Sequence, residues 1–210
     1  DLTFKFGEQL RKEGYRGYFE LDFLIEEKTG EIYLGELNPR ITGASSMTNH
    51  AAFAHADAPL FLFHLLEFSG VPFDLDVAEL NNRWADQANI DSWCQMVIKH
   101  TEDTVDVVTH APETGIYRMN DDGTLSYDRF DYHRRAVETE KEAFFLRILG
   151  PGDFRYEGAD LGILVTRGRA MDQRFRLNDR SKGWISGIKN LFSAKPLPSA
   201  APTEPAFKIM

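Results

Sequence analysis

The sequence has 210 residues, 42% of them hydrophobic and 27% charged, which is typical of a globular protein with one large or two small cores. Its 24 basic and 33 acidic residues give a net charge of −9, which argues against a general binder of nucleic acids or anionic membranes. Cys94 is the single cysteine, so the chain can form no internal disulfide, and we expect a reducing, cytoplasmic compartment. A lone cysteine in an apolar stretch is expected to pack in the core.

The first predicted element is a helix over residues 2–13. Leu2, Phe6 and Leu10 recur every four residues, and Gly14 follows as a stop signal. We expect the apolar face of this helix to pack on the strands that come next.

Two strands at 18–25 and 31–38 are predicted from the alternation of apolar and polar residues, and a polar loop with Gly30 joins them as a hairpin. Register matters because a slip of one residue turns every side chain to the wrong face. Pairing Phe23 with Gly35 separates the faces best. The resulting pairs are Glu20–Asn38, Leu21–Leu37, Asp22–Glu36, Leu24–Leu34 and Ile25–Tyr33.

The polar face of this hairpin has two interpretations. Like charges directly opposite each other destabilise a sheet, and Mg²⁺ between Asp22, Glu36 and Asn38 would remove that penalty. The alternative is an ordinary solvated face of an antiparallel sheet, although Lys and Thr are missing from it. Arg40 and the small-residue segment 42–46 favour the first interpretation, because a planar guanidinium and free backbone N–H groups suit phosphate or carboxylate.

The sequence of the first strand, followed by Glu36-Leu-Asn-Pro-Arg40, resembles the C-terminal metal motif of the ATP-grasp enzymes, in the style of biotin carboxylase and carbamoyl phosphate synthetase. The resemblance covers roughly residues 1–70. It implies that Asp22, Glu36 and Asn38 hold Mg²⁺, which Mn²⁺ can replace, on the phosphates of ATP. It also implies that Arg40 is a catalytic residue that contacts the transferred phosphate or the acyl phosphate.

The candidate nucleotide-binding residues are Glu36 and Asn38 together with Ser45 and Ser46 of the small-residue segment. The resemblance implies an ATP-dependent ligase or carboxylase that activates a small-molecule carboxylate as an acyl phosphate. Residues 41–46 replace the run that follows the arginine in biotin carboxylases, so the substrate is unassigned, and a homodimer is left open.

The other lobe of the family, with its lysines and Gly-rich phosphate loop, has no counterpart in the sequence. We therefore expect the chain to be the C-terminal part of a longer enzyme and incomplete for catalysis by itself. The alternative is a non-catalytic, β-rich interaction module that carries a vestigial ATP-grasp remnant. A structural Ca²⁺ site is disfavoured, because no dense acidic loop offers enough oxygen ligands.

After the hairpin, the sequence predicts a helix over 45–56 and a strongly apolar helix over 60–68 that ends at Gly70. The near-continuous hydrophobicity of the second helix predicts burial, with His64 as a satisfied core histidine. A short helix over 78–88 follows.

From Trp93 onward the pattern changes to strands, and we expect a small antiparallel β-rich domain. The predicted strands are 93–100, 105–109, 115–119, 124–127, 143–149 and 161–166. An amphipathic stretch at 180–192 is interpreted as a terminal helix docked on its own domain rather than on a membrane surface.

The fold class is therefore α+β, a C-terminal portion of an ATP-grasp domain followed by a β-rich domain and a terminal helix. The predicted divisions are residues 1–75, 76–193 and a disordered tail over 194–210.

Overall fold

The computed structural model describes residues 2–45, 60–85, 92–132 and 134–197, apart from the side chains of Trp84 and Arg134. Contacts divide the chain into two compact units, Asp1–Ser92 and Trp93–Met210. The domain boundary predicted after residue 75 lies inside the first unit. Most of the helix predicted over 45–56, including Ser46, lies outside the described residues.

The first unit combines helices with one antiparallel hairpin. Its elements are α1 (Leu2–Lys12), β1 (Glu20–Ile25), β2 (Ile32–Asn38), α2 (Leu60–Ser69) and α3 (Val77–Trp84). The stop signals act where the sequence predicts them, since Gly14 and Gly70 follow α1 and α2 with positive φ of 82° and 65°. None of the described helices is long and apolar enough to cross a membrane.

The hairpin register is the predicted one only at the end that carries the polar pairs. Glu20 faces Asn38, Leu21 faces Leu37 and Asp22 faces Glu36, as predicted. Beyond Asp22 the register shifts, so that Phe23, Leu24 and Ile25 pair with Leu34, Tyr33 and Ile32. The predicted pairs Phe23–Gly35, Leu24–Leu34 and Ile25–Tyr33 are therefore wrong by one residue.

The irregularity has a clear physical cause in the second strand. Ile32 and Leu34 belong to the apolar face, and strict alternation would place Glu36 beside them. An extra residue at Gly35 reverses the alternation, which returns Glu36 to the polar face and Leu37 to the apolar face. A Cβ at Gly35 would lie 3.2 Å from the backbone oxygen of Asp22, so the strands approach closely here.

Helix α1 lies beside the apolar face of the hairpin, as predicted. A shared groove of about 450 Å³ is lined by Leu2, Phe6 and Gln9 of the helix and by Phe23 and Leu34 of the strands. The helix itself has no buried residue. This contact positions the hairpin without sealing its apolar face.

The burial predicted for α2 is wrong for much of the helix. None of its residues is buried in the described structure, and Phe61, Leu65 and Phe68 are exposed. His64 is part-buried and satisfied, because its Nδ1 accepts a hydrogen bond from the backbone N–H of Tyr18 at 3.2 Å. Hydrophobicity therefore predicts the helix correctly but overestimates how much of it is buried.

The second unit is mostly antiparallel sheet. Its strands are β3 (Trp93–Lys99), β4 (Asp106–His110), β5 (Gly115–Met119), β6 (Leu125–Arg129), β7 (Glu142–Arg147), β8 (Phe154–Arg155), β9 (Asp160–Arg167) and β10 (Ser193–Pro196). A 3₁₀ turn at Arg134–Ala136 and helix α4 (Asp179–Asn190) complete it. One sheet has the order β3-β9-β7-β5-β6, and the other has the order β10-β4-β8.

Helix α4 covers one face of the larger sheet. Trp184 and Ile188 are fully buried in a cluster with Phe145, Leu161 and Leu164. The opposite face carries a smaller cluster, formed by Ile116, Val137, Phe144 and Val165. The interpretation of 180–192 as a helix docked on its own domain is confirmed, and Cys94 is buried as predicted.

Two short strands, β8 and β10, were not predicted. β10 pairs with β4 through residues 193–196, where an alanine and proline-rich composition hides the strand. The tail predicted over 194–210 therefore overlaps this strand, and residues 198–210 lie outside the described part of the chain.

Candidate functional site

The polar face of the hairpin carries two facing pairs. Asp22 lies directly opposite Glu36, and Glu20 lies opposite Asn38 one step along the ladder. Residues paired in this way have Cβ atoms about 5 Å apart. Asp22 and Glu36 are both exposed, and neither carboxylate has a hydrogen-bond or ion-pair partner among the described residues. Two carboxylates are thus held together, and no described cation forms an ion pair with either of them.

Asn38 and Arg40 form the second feature of the site. Asn38 is buried at the end of β2, and its Oδ1 accepts a hydrogen bond of 3.2 Å from Nη2 of Arg40. Nη1 of Arg40 donates to the carbonyl of Ile41 at 3.3 Å. Pro39 between them ends the ladder, because proline has no N–H to donate. The guanidinium is thereby held beside the last polar residue of the strand, a contact that the sequence did not predict.

The loop after Arg40 is held against the first strand by Glu20. The Thr42 hydroxyl lies 2.7 Å from both carboxylate oxygens of Glu20, and the Ser45 hydroxyl donates to one of them at 3.2 Å. The backbone N–H of Thr42 donates to Ser45 Oγ at 2.9 Å, and that of Ala44 donates to Thr42 Oγ1 at 3.2 Å. We call Glu20, Thr42 and Ser45 the hydroxyl clasp.

A second set of contacts ties the hydroxyl clasp to α2. The Tyr18 hydroxyl donates to the Ser45 carbonyl at 3.3 Å, while the Tyr18 backbone N–H donates to His64 Nδ1. Because Nδ1 accepts, the proton of a neutral His64 imidazole lies on Nε2. Tyr18 and Ser45 are buried, so the loop end is fixed to packed structure rather than to solvent-exposed side chains.

The arrangement fits a hard divalent cation only in part. The exposed oxygens of Asp22 and Glu36 are available, and carboxylate oxygens are what Mg²⁺ prefers. The oxygens of Asn38 and Glu20 already accept hydrogen bonds from Arg40 and from the hydroxyl clasp. Within the described ranges, no group of three His, Cys, Asp or Glu residues is placed to hold a metal.

The sequence predicted the pairs Asp22–Glu36 and Glu20–Asn38, but it did not predict the contacts of Asn38 with Arg40 or of Ser45 with Glu20. Asp22 and Glu36 meet, Asn38 and Arg40 meet, and Ser45 lies on Glu20 instead of standing free for an anion. Glu20 was placed on the same face as Asp22 by the two-residue period, but its contacts with the loop were not predicted. No sequence pattern predicts the contacts of Thr42, Tyr18 and His64. Thr42 lies in a loop whose path is not periodic, and Tyr18 and His64 are 46 residues apart in the sequence.

A separate apolar cavity of about 350 Å³ lies in the first unit. Its polar lining residues are His64, Glu67 and Asn81, and it contains none of the predicted site residues. Glu67 is engaged by Arg16 at 2.7 Å. The cavity adjoins Tyr18 and Phe19, at the start of the hairpin, on the side of α2.

Comparisons with known proteins do not assign the chain to a family. No protein-family model matches the chain, and no curated protein sequence matches it significantly. Among solved structures, the chain is similar to N5-carboxyaminoimidazole ribonucleotide synthetase from Thermotoga maritima, with 12% identity and a TM-score of 0.42. The match covers 86% of this chain and 38% of that protein, so the chain spans well under half of its length. A similarity at this level does not establish a shared activity.

Proposed function

We propose that the chain is the C-terminal part of a Mg²⁺-dependent and ATP-dependent ligase or carboxylase of the ATP-grasp type. The whole enzyme would activate a small-molecule carboxylate as an acyl phosphate. The observation that carries the proposal is the pairing of Asp22 with Glu36, next to Asn38 and Arg40 on one face of the hairpin.

The facing carboxylates favour a cation for an electrostatic reason. Each carries a negative charge, and like charges directly opposite each other in a sheet are unfavourable. A bulge at Gly35 keeps Glu36 on the polar face, although a regular strand would have turned it away. The apolar pair Leu21–Leu37 shares this register, and a bound cation would relieve the repulsion that the register leaves between Asp22 and Glu36.

When bound, Mg²⁺ would neutralise charge on the phosphates of ATP as the phosphoryl group moves. Asp22 and Glu36 would hold it, and the amide oxygen of Asn38 would join them once Arg40 releases it. Arg40 would then be free to bind the transferred phosphate or the acyl phosphate through its planar guanidinium. Release of Asn38 by Arg40 would free the guanidinium for an anion and a lone pair of the amide oxygen for the cation.

Ser45 contributes to this site by position rather than by an available hydroxyl. Its hydroxyl accepts from the N–H of Thr42 and donates to Glu20, so it shapes the loop that follows Arg40. The direct ATP-binding role predicted for Ser45 and Ser46 stays a prediction, since Ser46 lies outside the described residues.

The alternative function is a non-catalytic interaction module with a vestigial site. It is favoured by the oxygens of Glu20 and Asn38, which are both satisfied within the protein without a metal. In that case Asp22 and Glu36 would be two solvated carboxylates that interact with water only.

Binding of Mn²⁺, measured by electron paramagnetic resonance with and without ADP, separates the two functions. The proteins compared are the full chain, its Glu36→Gln variant and a Glu27→Gln control, which removes one exposed carboxylate from the hairpin turn. The ligase proposal predicts Mn²⁺ binding that ADP strengthens, that Glu36→Gln abolishes and that Glu27→Gln leaves unchanged.

Equal and feeble binding in all three proteins would contradict the proposal for this chain and favour the interaction module. Binding that is equally reduced by Glu36→Gln and Glu27→Gln would also contradict it, because it would report diffuse charge rather than a site.

A further inference from the structure

Basic residues are concentrated in one short segment of the second unit. Residues 167–182 contain six of the 24 basic residues and two of the 33 acidic ones, so the segment carries +4 and the rest of the chain −13. The negative charge of the whole protein hides this local excess. It lies between β9 and the first turns of α4.

The centre of this segment is a small, closed loop that we call the basic loop, residues 171–177. An isolated β-bridge joins Met171 to Leu177, and the Asp172 carboxylate accepts the backbone N–H groups of Arg174 and Arg176 at 2.8 and 3.0 Å. The Asp172 N–H donates to the Arg176 carbonyl at 2.8 Å. These bonds form a tight turn whose apex is residues 173–175.

The base of the basic loop is anchored to the folded core. The Arg169 carbonyl accepts hydrogen bonds from the Asn178 amide at 2.8 Å and from Arg180 at 3.0 Å. Asn178 is also the N-cap of α4, where its side chain accepts from the Ser181 N–H at 2.9 Å. The loop therefore projects from a fixed base.

The apex presents an aromatic ring between two arginines. Phe175 is 86% exposed, and its φ of 57° is in the left-handed region, which is unusual for a bulky residue. Met171 at the base is 48% exposed. Arg174 is exposed. Arg176 forms a long ion pair of 3.4 Å with Asp172, and both side chains are exposed to solvent. An apolar tip is thus displayed in a strained conformation between two exposed arginines, one of which pairs with Asp172.

We propose that the basic loop is a docking site for an anionic phospholipid surface. Phe175 would enter the interface, where aromatic rings are favoured, and Arg174 and Arg176 would bind the headgroup phosphates. Lys182, on the first turns of α4, is exposed and pairs with Asp179 at 3.0 Å, so the two arginines of the loop carry the electrostatic part of the proposal. The basic loop suits a flat surface such as a membrane, because it presents a single projecting apex.

A single-stranded nucleic acid fits this loop less well. Such ligands are bound by grooves that line up several aromatic platforms along a basic track. The basic loop offers one ring at its apex, and its other exposed apolar side chain is the flexible Met171 rather than a second ring. Apolar contact without stacking is what a lipid interface accepts.

The test is co-flotation of the full chain with vesicles of phosphatidylcholine alone and of phosphatidylcholine mixed with phosphatidylserine. Phe175→Asn removes the ring but suits the left-handed backbone, and the double variant Arg174→Gln/Arg176→Gln removes two charges. The matched control is Arg11→Gln/Lys12→Gln, which removes two exposed charges from α1.

We expect binding only to the serine-containing vesicles, weakened on the order of tenfold by either loop variant and further weakened by salt. The control variant should bind like the unmodified chain. Thermal unfolding of each variant checks that the fold is intact.

Three results would overturn the proposal. They are absence of binding to the anionic vesicles, equal weakening by the loop and control variants, and binding of a single-stranded oligonucleotide that depends on Phe175 while the vesicles stay unbound. The last result would assign the basic loop to nucleic acid instead.

Discussion

The hairpin of the first unit and the large sheet of the second unit are both antiparallel, yet they are used differently. In the described part of the chain, almost every buried hydrophobic residue belongs to the second unit, and Tyr18 is the exception. The hairpin exposes Leu24, Ile25 and Ile32, whereas β7 buries four successive residues on both of its faces. The large sheet forms a hydrophobic core, whereas the hairpin mainly positions the polar side chains of the candidate site.

The buried residues of the first unit are instructive because there are so few. Tyr18, Asn38 and Ser45 are the buried ones among its described residues, and all three lie at the candidate site. Packing in this unit is therefore concentrated around the polar contacts of the hydroxyl clasp and of Arg40.

Substitutions at the centre of the second unit should reduce the free energy of unfolding most. Phe145→Ala removes a ring with no solvent exposure from the cluster beneath α4 and should cost about 3–5 kcal/mol of unfolding free energy. Phe154→Ala, the same change at a ring 54% exposed, should cost less than about 1 kcal/mol. Urea unfolding followed by tryptophan fluorescence measures both. Similar losses for the two variants would break the distinction between core and surface drawn here.

The second unit should also lose stability in alkali through Tyr117. Burial, with the nearby charges of Tyr127 and Glu113, raises the pKa of Tyr117 to about 12 from its ordinary value of 10.0. Its hydroxyl donates to the Glu113 carbonyl at 2.9 Å. The folded state thus keeps a proton that the unfolded state releases. The resulting stability is present below pH 10 and is lost between pH 10 and 12.

Urea unfolding of the unmodified chain and of Tyr117→Phe across this pH range checks the effect. The unmodified chain should lose on the order of 2 kcal/mol more than the variant between the two pH limits. Parallel pH curves for the two proteins would show that Tyr117 titrates normally and would contradict the burial of its hydroxyl.

A smaller effect is expected at the hydroxyl clasp. Thr42→Val keeps the shape of the side chain but removes the hydroxyl that bonds Glu20, which should cost about 1–2 kcal/mol and loosen the loop. Thr29→Val is the control, because its hydroxyl bonds Glu26 in an exposed turn and should contribute less than about 0.5 kcal/mol. Hydrogen exchange of the amides of residues 42–45 reports the local change. Unchanged exchange in Thr42→Val would mean that the clasp does not hold the loop.

Much of the fold follows from periodicity. The alternation in 18–38 and in the strands after Trp93 predicts nearly every long strand, and the stripe of 180–192 predicts α4. Periodicity and hydrophobicity fail where the same pattern is compatible with both a buried and an exposed element. The hydrophobic α2 reads as buried, but its exposed Phe61 and Phe68 show that hydrophobicity reports what a helix can contact rather than what it does contact.

The sequence predicts the part of the site that lies on the two strands of the hairpin. Asp22 and Glu36 meet because strand geometry dictates it, although the bulge at Gly35 shifts all pairs beyond them. That bulge was readable in principle, since Leu34 and Leu37 break the two-residue period around a glycine. The hydroxyl clasp was not readable, because hydrogen bonds between a strand and a distant loop leave no periodic signal.

The stability of the first unit with and without metal shows whether Asp22 and Glu36 are held together for a cation. The thermal unfolding of the first unit is compared for the unmodified chain and Glu36→Gln, first without divalent metal and then with Mn²⁺ and ADP. Without metal, the variant should be more stable by roughly 0.2–1 kcal/mol, because a like-charge pair is removed. With Mn²⁺ and ADP the order should reverse, since only the unmodified chain gains stability from binding. A variant that is less stable without metal, or an order that metal and nucleotide leave unchanged, would contradict the claim.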